Sequence, residues 1–266
     1  MIATFILQFA LLAELGIVPV TVVDSYNRYI PGLEQRNFTL YEDKIQQPIK
    51  YFSSVPLPIS AGIILDVSGS MTDNISPARN AVKTFLSDRL PNDECFLLTF
   101  NEKLKLIQDF TNQPELIDLA FLSPKGYTAL FDAIYFSLEK MREATNLRKA
   151  LIIITDGEDN RSRYTLSEIK EAAVESDVQV YIIQQRNEYG YSILESLAAV
   201  TGGKVFQPAT LSQLNYYIDL INLELRNQYI LGYTPADEME HRIKVLSKVG
   251  RVKHRKNIGG TKWVRR

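Results

Sequence analysis

Ile59-Ser60-Ala61-Gly62-Ile63-Ile64-Leu65-Asp66-Val67-Ser68-Gly69-Ser70 is the stretch on which the reading of this chain turns. Its first seven residues are mostly apolar, the composition of a strand buried on both faces of a sheet. Asp66 ends the run. Ser68 and Ser70 follow at alternate positions, so a tight turn through Gly69 can aim both hydroxyls toward the Asp66 carboxylate. Open α/β sheets gather their ligands beyond the carboxyl ends of the strands, at a topological switch point. Asp66 stands at such an end.

Outward from this stretch, strands and helices alternate. Ser76 and Pro77, a cap followed by proline at the first helical position, predict a helix from Pro77 to Leu90. Cys95 to Phe100 reads as a buried strand and Lys103 to Asp109 as an exposed or edge one. Thr128 to Arg142 has helical spacing, with Leu130, Ile134 and Leu138 on one face. Ala150 to Ile154 is a second strongly apolar strand. A helix from Leu166 to Ser176, a strand from Val178 to Ile183 and a helix from Ser192 to Thr201 follow. Gly202-Gly203 breaks the chain before a short strand, Lys204 to Phe206, and Leu211 to Arg226 forms a last helix. This alternation predicts parallel βαβ units with right-handed crossovers, and so a doubly wound, mostly parallel sheet.

The flanks read differently. Ile17 to Val23 is rich in β-branched residues. Asn37 to Tyr41 alternates polar and apolar, Glu42-Asp43-Lys44 makes a turn, and Pro48 to Phe52 completes a hairpin. After Asn227, strands recur at Tyr229 to Tyr233, Arg242 to Lys248 and Arg251 to Asn257. The expected organisation is an α/β domain over 57–226, a small antiparallel β domain over 17–56 plus 227–258, an apolar segment over 1–16 and a basic tail over 259–266. Pairing the two β-rich flanks would satisfy their edges.

Composition sets outer bounds. The chain has 266 residues, 45% of them hydrophobic, enough for a sizeable core. The net charge of −1 hides an asymmetry: residues 241–266 hold ten of the 30 basic residues and no acid. In that segment the basic residues alternate with Ile243, Val245, Val249 and Val252, the pattern of strands with one wet face. Nucleic acid is therefore not the expected partner. The single Cys95 removes any intrachain disulfide framework and any cysteine-based zinc cluster. Met1 to Gly16 is apolar like the core of a signal peptide, yet it lacks a positive start and a clean cleavage site. The segment points to an extracytoplasmic location, with a cytoplasmic one left open, and no integral membrane span is expected.

The chemistry concentrates in three loops. Asp156, in Thr155-Asp156-Gly157, stands after the strand ending at Ile154, as Asp66 stands after its own. Thr128, in Gly126-Tyr127-Thr128-Ala129-Leu130, lies where a loop enters a helix. Asp66, Ser68, Ser70, Thr128 and Asp156 are all hard oxygen donors converging on one end of the sheet. Such a set suits a divalent cation, Mg²⁺ first, with Mn²⁺ or Ca²⁺ as alternatives. Two carboxylates neutralise the ion, three hydroxyls orient it, and it is left electrophilic toward an outside carboxylate.

Asp66-Val67-Ser68-Gly69-Ser70-Met71 resembles the D-x-S-x-S signature of von Willebrand factor A (VWA) domains. Thr128 is similar to their second-loop threonine and Thr155-Asp156-Gly157 to their third-loop aspartate. The wider chain, over roughly residues 17–256, resembles the bacterial VWFA-related proteins, through Val18-Pro19-Val20-Thr21-Val22, Phe38-Thr39-Leu40-Tyr41-Glu42-Asp43 and Leu225-Arg226-Asn227-Gln228-Tyr229-Ile230-Leu231-Gly232-Tyr233-Thr234-Pro235. Gly259 to Arg266 departs from that family's usual ending. The resemblance implies a Rossmann-like fold, a metal-ion-dependent adhesion site (MIDAS), no enzymatic activity, a protein partner presenting Asp or Glu, and a secreted or surface location. Asp132 resembles a family position that supports the loop, and it also suits the first turn of a helix.

Rival readings lack their parts. A phosphoryl-transfer enzyme using Asp66 would need a second acid two residues on, where Ser68 stands. A serine hydrolase would need a base beside Ser68 or Ser70, and both histidines, His241 and His254, lie in the basic C-terminal stretch. No nucleophile elbow, P-loop or dinucleotide fingerprint is present. A scaffold domain whose basic C-terminal strands bind an anionic polymer remains a third alternative. Glu158, Asp159 and Asp73 read as rim charges outside the ligand set, and Tyr127, Tyr189 and Tyr191 as either a contact surface or loop packing.

Overall fold

The computed structural model describes residues 15–113, 119–184, 188–210, 213–237 and 239–258, with the side chains of 188–190 and 257–258 left undescribed. The expected apolar segment over 1–16 and the basic tail over 259–266 therefore fall wholly or mostly outside it. The chain divides into two compact units. One comprises the described residues of 57–173 and 178–225, the other those of 1–56, 174–177 and 226–266.

The larger unit is built on a six-stranded sheet in the order β10-β9-β8-β5-β6-β7. Its strands are β5 (Ile59–Asp66), β6 (Glu94–Phe100), β7 (Leu104–Thr111), β8 (Arg148–Thr155), β9 (Val178–Gln184) and β10 (Lys204–Phe206). All neighbours pair in parallel except β6 and β7, which run antiparallel. β5 is central, with β6 and β8 on either side, and every one of its residues is buried. That explains why its sequence reads as a continuous apolar run and not as an alternation. Ile59, Ala61, Ile63 and Leu65 point to one face, where they pack with α1 (Ile75–Ser87) and α5 (Leu214–Arg226). Ile64 points to the other, with α2 (Leu130–Lys140), α3 (Leu166–Glu175) and α4 (Glu188–Thr201). Gly62 is the close-approach position of β5. A Cβ there would lie 2.4 Å from the Phe96 ring and 2.5 Å from a Leu151 methyl, its register neighbours on both sides.

Several boundaries differ from expectation for physical reasons. α1 starts at Ile75, with Asn74 as its N-cap residue, ahead of the expected Ser76-Pro77. Pro77 then sits in the first turn, where its missing N–H has no intrahelical acceptor to lose. α2 starts at Leu130, leaving Thr128 in the loop, and passes at Met141–Glu143 into a 3-10 turn. α4 starts earlier than Ser192, at Glu188, and buries Leu194, Leu197 and Ala198. The expected start of α5 at Leu211 lies outside the described residues.

The smaller unit holds two four-stranded sheets, ordered β13-β1-β11-β4 and β14-β12-β2-β3. Their strands are β1 (Gly16–Val23), β2 (Phe38–Glu42), β3 (Ile45–Gln47), β4 (Tyr51–Ser53), β11 (Tyr229–Tyr233), β12 (His241–Ser247), β13 (Arg251–His254) and β14 (Asn257–Ile258). Val18, Val20, Val22, Leu40, Leu231, Ile243 and Val245 form one core from both sheets. The hairpin partner of β2 is β3, not the expected segment from Pro48 to Phe52. Pro48 has no N–H to continue the ladder, and β4 beyond it pairs with β11 in the other sheet. The hairpin turn Asp43-Lys44 has φ of 46° and 74°, the left-handed pair that a two-residue turn between twisted strands demands. In β12, Arg242 and Lys244 are exposed while Ile243 and Val245 are buried, the expected one-sided alternation. Val249 departs from it, being exposed in the turn that follows.

Candidate metal centre

Three loops of the larger unit converge beyond the carboxyl ends of β5 and β8. The first follows β5. The Asp66 side chain is fully buried, and its two oxygens are held separately: Oδ1 accepts the Ser68 N–H at 2.8 Å and Oδ2 accepts the Thr155 hydroxyl at 2.7 Å. Ser68 Oγ lies 3.1 Å from Ser70 Oγ, so the two serines do face one another across Gly69. Ser68 is buried and Ser70 is exposed. The second loop is tied to the first by backbone, Gly69 N–H to Gly126 O at 3.1 Å and Lys125 N–H to Val67 O at 3.0 Å. Gly126 has φ of 78°, and a Cβ there would lie 1.8 Å from a Glu102 carboxylate oxygen. Only glycine lets Glu102 come in to accept the Tyr127 N–H, at 3.1 Å.

The third loop, 156–165, is stitched to the second at Thr128. The Thr128 N–H donates to Asn160 Oδ1 at 2.9 Å, and the Thr128 carbonyl accepts the N–H groups of Asn160 and Arg161, each at 3.0 Å. Asp132, in the first turn of α2, accepts the N–H groups of Arg163 and Tyr164 at 2.7 and 3.0 Å. Its carboxylate thus anchors the third loop from the helix side. Asp159 accepts the Ser162 hydroxyl at 2.6 Å and the Phe131 N–H at 3.3 Å.

Every sequence-predicted donor lies on these three loops. Asp66, Ser68 and Ser70 belong to one hydrogen-bonded group, and Thr155 links that group to the Asp156 loop. Thr128 lies on the strap joining the second and third loops. Asp156 accepts the Glu158 N–H at 3.2 Å and is partly exposed. Burial pushes the Asp66 carboxyl up to about 6, against hydrogen bonds from Ser68 and Thr155 that lower it, and the negative charge of Asp156 pushes it further up. The Asp66 and Asp156 carboxyls and the Ser68 and Ser70 hydroxyls offer oxygen alone. The donors present therefore fit a hard divalent ion. Among the described residues no cluster of three or more His, Cys, Asp or Glu forms a metal site, so any ion here would draw on hydroxyl as well as carboxylate oxygen.

Reading the sequence alone missed Thr155 and Asn160. Thr155 adjoins Asp156 and could have been suspected from the Thr-Asp-Gly run. Asn160 carried no signal beyond that of a turn residue. Of the tyrosines, Tyr127 is 59% exposed beside Thr128. Tyr191 packs partly buried against the core on the α2–α4 side of the sheet, and the Tyr189 side chain lies outside the described set.

An open α/β sheet with its oxygen donors on three carboxyl-end loops defines a class of domain that gathers its ligands at one end of the sheet. The von Willebrand factor type A domain family matches residues 62–220, more than half of the chain, and the chain belongs to that family. Among solved structures it is similar to the von Willebrand factor type A protein from Catenulispora acidiphila (TM-score 0.57, 10% identity, covering 92% of this chain and 72% of that one). It is also similar to the ArnB paralog VWA2 from Sulfolobus acidocaldarius (TM-score 0.53, 17% identity, 92% and 76%). The vWF domain of the type V pili tip protein Mfa5 from Porphyromonas gingivalis is a third (TM-score 0.52, 12% identity, 64% and 97%). At these identities the likeness is one of fold. No helix among the described residues is long and apolar enough to cross a membrane.

Proposed function

We propose that this chain is a metal-ion-dependent adhesion module that binds a protein partner through a carboxylate. The observation that carries the reading is the held pose of Asp66: buried, with one oxygen fixed by the Ser68 N–H and the other by the Thr155 hydroxyl. Asp66, Ser68, Ser70, Thr128 and Asp156 would hold the ion, Mg²⁺ first. When bound, the ion supplies Lewis acidity for a carboxylate arriving from outside. The chain's own part is to fix the first carboxylate through Thr155 and Ser68, and to hold Thr128 in place through Asn160. Asp132 in turn keeps the Asp156 loop near the rim. Among the described residues no histidine or lysine hydrogen-bonds the Ser68 or Ser70 hydroxyl, which supports binding over hydrolysis. We place the module outside the cytoplasm, in keeping with the pilus-tip domain to which its fold is similar.

Titration calorimetry with Mn²⁺ and with Mg²⁺ tests the site directly. Wild type should bind one ion, and Asp66→Asn and Thr128→Ala should bind weakly or not at all while retaining wild-type circular dichroism. Wild type giving no heat with either ion at millimolar concentration would remove the metal centre.

A further inference from the structure

The third loop carries a cation with no ion pair among the described residues. Arg161 follows Asn160 in the third loop, and its N–H is fixed to the Thr128 carbonyl at 3.0 Å. Its guanidinium lies over the Tyr127 ring, 5.0 Å from the centroid. Tyr127 is the residue before Thr128, and both Tyr127 and Arg161 are exposed. Several of the neighbouring charges are otherwise engaged. Arg163 pairs with Asp132 at 3.4 Å, Asp159 accepts from Ser162 and Phe131, and Glu102 accepts from Tyr127 N–H. Arg161 forms no ion pair with any described carboxylate.

A guanidinium stacked on an aromatic face is held flat while its N–H edge stays open, the geometry that accepts a carboxylate bidentately. Stacking also removes part of the rotamer freedom that an exposed arginine would otherwise lose on pairing. The backbone tie to Thr128, and the stacking on Tyr127 next to it, place Arg161 on the loop that carries one of the proposed ligands of the ion.

We propose that Arg161, laid on Tyr127, is a second anchor that selects partner segments carrying a further carboxylate beside the one offered to the metal. This rests on the metal-centre reading above. The partner it fits is an acidic peptide segment with two aspartates or glutamates a few residues apart. Tyr127 is the positioning residue and Arg161 the contact.

Fluorescence anisotropy with two labelled octapeptides tests this, one with a single aspartate and one with two, at low ionic strength in Mn²⁺ and in EDTA. Wild type in Mn²⁺ should bind the two-aspartate peptide about threefold to tenfold more tightly, the scale of an exposed but preorganised ion pair. Arg161→Gln should bring the two peptides within a factor of two of each other while leaving the single-aspartate affinity unchanged. Tyr127→Phe should keep the preference and Tyr127→Ala should weaken it. Metal-dependent binding with no preference in wild type overturns this inference and leaves the adhesion reading standing. Binding of both peptides that is indifferent to EDTA overturns the metal reading itself. Equal loss of both peptides in Arg161→Gln, with unchanged Mn²⁺ heat, would make Arg161 a support of the loop and overturn its role in selection.

Discussion

Acids gather at two places in this chain, and the two differ in who supplies the positive charge. In the larger unit, Asp66 is held by a backbone N–H and a hydroxyl, and its carboxyl is pushed up to about 6 by burial first and by the charge of Asp156 last. In the smaller unit, His241 sits between Asp43 and Asp237. Its Nδ1 lies 2.7 Å from an Asp43 oxygen and its Nε2 lies 3.0 Å from an Asp237 oxygen. Both ring nitrogens can donate only when the imidazole is protonated. The hydrogen bond to Asp43 accordingly raises His241 above its ordinary value. The same contact holds Asp43 below the usual carboxylate range, while Asp237 is lowered first by the Met239 N–H and then by His241. One cluster is neutralised by its own side chain. In the other no described lysine, arginine or histidine pairs with Asp66 or Asp156, and the proposed ion would supply that charge.

The comparison breaks first at the metal. With Mn²⁺ at a hundred times its dissociation constant, linkage stabilises the native state by about 2.7 kcal/mol. For a domain of this size that raises Tm by roughly 5–10 °C, and differential scanning calorimetry of Asp66→Asn should show no such rise. Second in size is Asp132→Ala. It leaves two backbone N–H groups of the third loop without their acceptor and should cost about 2 kcal/mol. Urea unfolding measures that cost, and partner capture on Mn²⁺-loaded protein should fall with it. Third is Thr155→Val, which removes the hydroxyl bonded to Asp66 at little change in volume. We expect about 1 kcal/mol of lost stability and a roughly tenfold weaker Mn²⁺ affinity; an unchanged affinity would show that Asp66 keeps its pose without help.

The smallest effect belongs to the self-neutralised cluster. A raised His241 stabilises the fold fully below the unfolded value near 6.5, and that contribution is lost as pH rises through its higher folded value. The lowered Asp43 and Asp237 contribute above their ordinary 3.8 and lose that contribution as pH falls through their folded values. The cluster is therefore at its strongest between about pH 4 and 6.5. The gap in Tm between wild type and His241→Gln should be widest near pH 5.5 and should shrink by pH 9. A gap independent of pH would mean that packing, not charge, holds His241.

What the sequence made legible follows the distance over which each signal acts. The run from Ile59 to Asp66 declares a doubly buried strand within eight residues, and Ser68 and Ser70 declare the turn that follows. Thr128 and Asp156 stand out because each adjoins a strand or helix that is itself readable. The hairpin was misread because Pro48 looked like the start of a strand when it marks the end of one. The His241 cluster could not be read at all: its partner Asp43 lies 198 residues away in sequence, and only the pairing of β12 with β2 brings them together. Asn160 was invisible for a similar reason. Its side chain serves a backbone N–H on another loop, and no local pattern encodes that contact.

The position of β5 has a mechanical consequence. Asp66 is the last residue of the strand at the centre of the sheet, and β5 is registered in parallel with seven residues of β6 and seven of β8. If the proposed site holds a ligand there, a pull directed along the strand would draw β5 along its own axis. Its hydrogen bonds on both sides then carry the load together, in shear, whereas a ligand hung on an edge strand would peel them apart one by one. Tension delivered through Asp66 in that direction would meet the sheet where it resists best.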